Sequence, residues 1–343
     1  MYIIFKTAVS LFLIASIVLF SDKMTAAALN GLNLWLNTAL PSLFPFMVIV
    51  SWLSFGSRTS KSRFDGITRR LFGVPSCCMS VFAVSFLAGY PMGAKIISNM
   101  LKQKKISADT AEHMLSFCNN PGIVFIISAV SSSMLADRRA SFYFIAICVL
   151  SSLLTGIAYN IFFPCAEKTI HTVSSVCAKP VGIYEALLSA VKSILAVGGC
   201  IIFFSAVSAA VNNVLPFNGI AGAFINGILE FAGGIGALSS CGYPRKSVYP
   251  LIAAVLCWGG CSVHLQTLAV LDGVEIDFRK YIISKLFCGS AAYITAYILY
   301  DRFFADGRVY APAFSAAYLA PSLFISSVFL AVVLYLSFRE KRR

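Results

Sequence analysis

Acidic residues are scarce in this 343-residue chain, with 14 Asp and Glu against 27 Lys and Arg, and charged residues make up only 12% of it. So little charge beside 59% hydrophobic residues excludes the solvated surface of an ordinary soluble domain. The aspartates gather between apolar runs (Asp22, Asp65, Asp109, Asp137, Asp272, Asp277), which leaves no paired catalytic carboxylates inside them. Gly-x-Ser-x-Gly, His-Glu-x-x-His and the P-loop are absent. No enzyme is therefore expected, no catalytic residue is assigned and no cofactor is called for. No acidic cluster marks a sodium site. A soluble domain, a long linker and low-complexity tracts are all missing. The net charge of +13 is spread over short loops, not over a basic face, and no nucleic-acid motif accompanies it. That argues against nucleic acid as a partner.

What is present is apolar sequence in long runs, such as 142–163 and 324–338. An all-α polytopic membrane protein follows. Eight spanning helices are read at about 2–20, 30–56, 110–135, 140–164, 184–211, 248–271, 280–304 and 315–338. Residues 2–20 are followed by no small-x-small cleavage site, so they read as a retained span rather than a signal peptide. Eleven cysteines, mostly inside apolar runs, behave there as small hydrophobes. Cys257, Cys261 and His264 share one helical face, but no fourth ligand at the usual spacing appears and no metal site is assigned.

Two further apolar segments, 76–101 and 218–241, are interrupted near their middles, and so are two of the spans. Gly89-Tyr90-Pro91-Met92-Gly93 and Asn119-Asn120-Pro121-Gly122 break the first half. Phe231-Ala232-Gly233-Gly234 and Gly259-Gly260-Cys261-Ser262 break the second. The arms beside Pro91 and Gly234 reach only about 18 Å each, too short to cross the hydrocarbon, so these two segments read as re-entrant hairpins. Irregular backbone at membrane depth survives only where protein buries it or it lines a polar cavity. Matched breaks in two halves point to a solute site near the midplane.

Loop charge orients the chain. With both termini cytoplasmic, the inside loops hold 16 Lys and Arg and the outside loops 7. Arg138-Arg139 and Arg245-Lys246 fall on the less favoured side. The halves then run in opposite senses. Residues 1–343 form one membrane domain: 1–29 a first span and loop, 30–164 a first repeat, 184–304 a second, inverted repeat, and 315–343 a last span and basic tail.

Candidate substrate contacts follow from the breaks. Asn119 and Asn120 resemble N-caps ahead of Pro121 at a first helical position, and Ser262 offers a cap in the other half. Such restarts aim free N–H groups and a positive dipole end at the cavity. Lys95, one turn past Pro91, and Lys192, inside the fifth span, would meet an anion. Glu230, beside the second hairpin tip, would contact solute or take a coupling proton. A Lys–Glu pair that merely orients the hairpins is the competing reading. His264 and Gln266 follow the last break and divide between structural and substrate roles. Lys285 is placed at the interface near the end of its span. Glu112 and His113, at the cytoplasmic edge, are expected to be solvated. Pro41 and Pro45 should kink the second span and share in gating.

Across about residues 30–300 the chain resembles the sporulation integral membrane protein YlbJ family, also called SpoVV. The resemblance rests on Leu-Pro-Ser-Leu-Phe-Pro-Phe (40–46), Gly-Tyr-Pro-Met-Gly-Ala-Lys (89–95), Leu-Ser-Phe-Cys-Asn-Asn (115–120) and Ser-Val-His-Leu-Gln (262–266). That family sits in the wider nucleoside-transporter and FeoB Gate group, whose concentrative carriers use paired hairpins and broken helices. The resemblance implies a role in endospore formation and movement of dipicolinic acid across the outer forespore membrane of the mother cell. An aromatic dianion would suit Lys95, Lys192 and two helix N-termini.

The sequence is thus read as a carrier of a small organic anion, working by alternating access with inverted repeats. A nucleoside-type carrier keeps the fold and changes the cargo. A non-transporting scaffold for spore assembly is the reading of another class. The lipid bilayer is a partner in each, and an oligomer is compatible with all three.

Overall fold

A computed structural model describes residues 2–52, 63–165 and 182–304. The eighth expected span (315–338), Arg308, the basic tail and most of the loop 165–183 lie outside the described residues. Within them the chain is all-helical, with no strand. Among the described residues five helices are long and apolar enough to cross a membrane, or six if one bent pair counts as a span. Their exposed faces carry Phe142, Leu195, Phe203, Ile294 and Ile298, an apolar exterior that suits lipid rather than water.

Helix α1 (Tyr2–Leu19) is followed directly by α2 (Ser21–Trp52). The expected loop at 21–29 is helical instead, because Met24-Thr25-Ala26-Ala27-Ala28-Leu29 is rich in strong helix formers. α2 loosens into a π turn at Trp35–Ala39, just ahead of Pro41 and Pro45. A proline removes one rung of the ladder, and the wider turn accommodates the mismatch.

α3 (Asp65–Phe72) lies where a loop was expected. Asp65 opens it, Arg69 and Arg70 close it in accord with the helix dipole, and Gly73 in the left-handed region ends it. From α3 the chain turns by 74° into the next helical stretch. The first hairpin has arms α4 (Met79–Ala88) and α5 (Met92–Lys102). The first broken span is α6 (Ala108–Phe117), five non-helical residues from Cys118 to Gly122, and a continuation whose π-helical part is α7 (Phe125–Met134). Ser107 caps α6 by accepting from the Thr110 N–H at 3.2 Å. α8 (Ala140–Phe162) returns across the bundle.

In the second part, α9 (Ile183–Val214) crosses and the second hairpin pairs α10 (Gly219–Leu229) with α11 (Phe231–Ser239). The second broken span joins α12 (Arg245–Trp258) to α13 (Gly260–Val270), and α14 (Phe278–Phe304) follows. Arms of 9–11 residues confirm that neither hairpin can span alone. α2 packs along α9, and α14 along α8 and α12. The main apolar core runs through the middle of this bundle, and a second cluster gathers Phe72, Ile97, Met114, Phe117 and Tyr281 toward α3.

Candidate functional site

The hairpin tips and broken spans meet. α4 ends at Gly89, whose φ of 73° favours glycine. A Cβ there would stand 3.0 Å from the Gly122 backbone nitrogen, so the first tip lies directly on the first broken span. The neighbouring Tyr90 reaches the opposite half, its hydroxyl donating to the Leu256 carbonyl at 3.1 Å just before the second broken span parts. Gly260 presses on the second hairpin in the same way: a Cβ there would be 2.9 Å from the Phe231 nitrogen.

Asn119 and Asn120 are buried, and neither serves as the expected N-cap. Asn119 Nδ2 donates to Thr267 Oγ1 at 3.0 Å and to the Tyr281 hydroxyl at 2.9 Å, joining the first break to α13 and α14. Asn120 Nδ2 donates to Ser85 Oγ at 3.0 Å and to the Phe117 carbonyl at 2.7 Å, while its Oδ1 accepts from Ser152 Oγ at 2.7 Å. The carboxamides therefore knit the gap instead of capping a restart at Pro121, and the helix resumes only at Ile123.

Glu230 does cap a helix. It sits in extended backbone between α10 and α11, 2% exposed, and its carboxylate accepts from the N–H groups of Ala232 at 3.2 Å and Gly233 at 2.5 Å. The second hairpin thus turns at Glu230 rather than at Gly233-Gly234. Those glycines belong to the first turn of α11, where Gly234 packs against the backbone of Gly227. Ser262 is not a cap either, because α13 already begins at Gly260.

The cation at this junction is Lys285, on α14 and 1% exposed. Its Nζ donates to the Asn119 carbonyl at 2.7 Å and stands 5.2 Å from the centre of the Tyr90 ring. Among the described residues no carboxylate lies within salt-bridge distance of it. The interfacial placement fails because Tyr281, Ser284, Cys288, Ala292 and Ala296 put Lys285 on the buried face of its helix. That helical stripe was the available signal.

The other lysines stand apart. Lys95 is half-buried and its Nζ donates to Ser189 Oγ and Ser193 Oγ, both at 2.7 Å, and to the Ser189 carbonyl at 3.2 Å. It is tied to α9, and the Lys–Glu pair with Glu230 does not form. Lys192 is exposed on the outer side of α9, away from the breaks. Glu112 and His113 are not solvated as expected. His113 is 2% exposed, and Glu112 accepts from Lys280 Nζ at 2.6 Å and from the Asp277 N–H at 3.0 Å. At the far end of the same broken span, the largely buried Asp137 accepts from Arg245 at 2.9 Å and from the Tyr249 hydroxyl at 3.1 Å.

On α13 and the first broken span several buried polar atoms have no hydrogen-bond partner among the described residues: Asn119 Oδ1, both ring nitrogens of His264, and Gln266 Nε2. The His264 ring stands edge-on to Trp258 at 4.1 Å and to Tyr281 at 5.5 Å. Gln266 also lines a small apolar cavity with Tyr90, Pro121, Gly122, Phe231 and Ala232. Its volume is about 20 Å³, room for about one water molecule. That cavity is too small for a solute the size of an organic acid.

The sporulation integral membrane protein YlbJ of Bacillus subtilis is similar to this chain, with 24% identity over an alignment that covers 84% of the chain and 81% of that protein. The similarity supports the YlbJ family for this chain. No protein-family model and no solved structure matches it.

Proposed function

We propose that this chain is a membrane carrier that moves a small organic anion during endospore formation, with dipicolinic acid the leading candidate. The observation that carries the reading is Lys285, a buried ammonium with no carboxylate partner at the meeting point of the four breaks. An ionisable group in such a place is expensive and normally marks a solute path. The unpartnered amide of Gln266 and the His264 ring add donors for carboxylate oxygens. Tyr90, Phe231 and Tyr281 supply faces and edges for an aromatic ring.

In this reading the halves are inverted, both termini face the cytoplasm and the hairpins enter from opposite sides. Alternating access follows as one half rocks against the other around the junction. The outer forespore membrane is the proposed location, and the mother-cell cytoplasm the side of uptake. Glu230 is the group proposed to exchange a coupling proton.

A nucleoside could use the same amides but carries no charge to meet Lys285, and uridine is therefore the informative control. Full-length protein in proteoliposomes, given labelled dipicolinate and uridine in parallel with and without a proton gradient, tests the reading. Dipicolinate should move and uridine should not. Movement of uridine alone would establish the nucleoside reading, and movement of neither by folded protein would favour a scaffold.

A further inference from the structure

His113 lies outside the junction, near the start of the first broken span, and its surroundings are unusual. Its Nδ1 is 2.9 Å from the Asp109 carbonyl oxygen, and its Nε2 is 2.8 Å from the Phe163 carbonyl oxygen. A neutral imidazole has one N–H, so it satisfies only one of these acceptors. Whichever nitrogen lacks the proton faces a carbonyl oxygen with its lone pair. Two acceptors at that distance repel unless a cation serves them.

The ring cannot easily turn away. Tyr159 meets it edge-on at 5.0 Å, and Gly73 fits against it so closely that a Cβ there would stand 2.7 Å from His113 Cδ2. Two further donor groups converge on the same place. The Asp109 carboxylate comes to 3.7 Å from Nδ1. The Cys165 thiol, from the chain just beyond α8, completes a trio whose ligand atoms all lie within 4.8 Å of one another.

We propose that Asp109, His113 and Cys165 form a binding site for a divalent transition-metal ion of the zinc type. Carboxylate, imidazole and thiolate are the three side chains that zinc takes, and a tetrahedral set places its ligand atoms about 3.5 Å apart. The trio therefore has to tighten by only about an ångström. Binding releases the thiol proton and places the ion on the ring nitrogen that lacks one, so the two lone pairs no longer face each other. It pins the start of α6, and so the cytoplasmic half of the broken span, to the end of α8. Sequence spacing gave no hint of this, since Asp109 and His113 share one turn while Cys165 is far along the chain.

The test uses full-length protein in detergent, stripped with a chelator and titrated with Co²⁺ alone near neutral pH. We expect about one ion per chain, displaced by Zn²⁺, with the near-ultraviolet charge-transfer band of a cobalt–thiolate bond. Cys165→Ser should lose that band. Asp109→Asn should weaken binding about tenfold or more while keeping monodisperse elution. Cys241→Ser, a half-buried cysteine elsewhere, should change nothing. Absence of the band in the unaltered protein, or its survival in Cys165→Ser, overturns the proposal.

Discussion

Replacing Lys285 by Met removes the charge and keeps most of the volume, so folding and binding should respond in opposite directions. A buried charge without a counter-ion costs stability, and an apolar side chain of similar size in its place is often neutral or stabilising. Against that stands one lost bond, from Nζ to the Asn119 carbonyl, worth about 1.5–3 kcal/mol when one partner is charged. The solute-free protein should therefore keep its melting temperature or lose only a little of it. Binding is different. Truncating one partner of a desolvated, hydrogen-bonded charge pair costs about 2–5 kcal/mol. At about 1.4 kcal/mol per factor of ten, dipicolinate should bind at least roughly 30-fold more weakly. Thermal unfolding of purified protein across a dipicolinate titration reads both quantities in one experiment, and proteoliposome flux reads the consequence. Lys285→Arg keeps the charge but not the shape, and should retain a fraction of the flux. The reasoning fails if Lys285→Met still shows a wild-type thermal shift with dipicolinate, or if it loses the fold before any solute is added.

Lys95→Ala and Lys192→Ala should each leave dipicolinate affinity within a few-fold of the parent in the same titration, because Lys95 is held by serines of α9 and Lys192 faces outward; a loss comparable to that of Lys285→Met would move the anion site. Asn120→Ala removes three buried hydrogen bonds and should cost about 2–4 kcal/mol, seen as a lower melting temperature without solute. Gly89→Ala meets both a positive φ and the Gly122 backbone, and should lower stability by more than about 1 kcal/mol in the same assay. Tyr90→Phe keeps the ring beneath Lys285 but loses the bond to the Leu256 carbonyl, about 1 kcal/mol of support for the closed junction. If closure opposes binding, apparent affinity should rise by up to about fivefold, and a fall would contradict that.

The breaks were legible because their chemistry is local. Gly89, Pro91, Pro121 and Gly259 are poor helix residues and each stands close to a further glycine, proline or asparagine, so these clusters in a run of apolar residues report an interruption directly. The second hairpin tip was displaced by a few residues because Gly233 and Gly234 serve close packing, while the turn is made by Glu230 folding its carboxylate back on two amides. Which lysine enters the junction was a tertiary question. Distance from the end of a span places Lys285 at the interface, yet the face it shares with Tyr281, Ser284, Cys288 and Ala292 decides which way it points. Depth alone places Lys192 at the site, whereas its face of α9 is exposed. The short helix Asp65–Phe72 was hidden for another reason: a charged amphipathic segment between membrane spans looks, by composition, like an inside loop.

The breaks also explain one another. A gap in a helix at membrane depth leaves backbone groups that lipid cannot satisfy. Here those groups are met across the molecule: the Asn119 carbonyl by Lys285 of α14, and the Leu256 carbonyl by Tyr90 of the first hairpin. Asn119 itself bonds to Thr267 and Tyr281. The two halves therefore stabilise each other's interruptions, and neither half is complete alone. In the proposed carrier, parting them would expose these groups together, and only water or a polar solute entering the gap could take the place of the lost partners. Opening and filling would then be one event, with the cavity of about 20 Å³ as the closed end of that equilibrium. In the proposed carrier the unpartnered atoms of His264 and Gln266 mark the side of the gap with hydrogen-bonding capacity to spare for a solute.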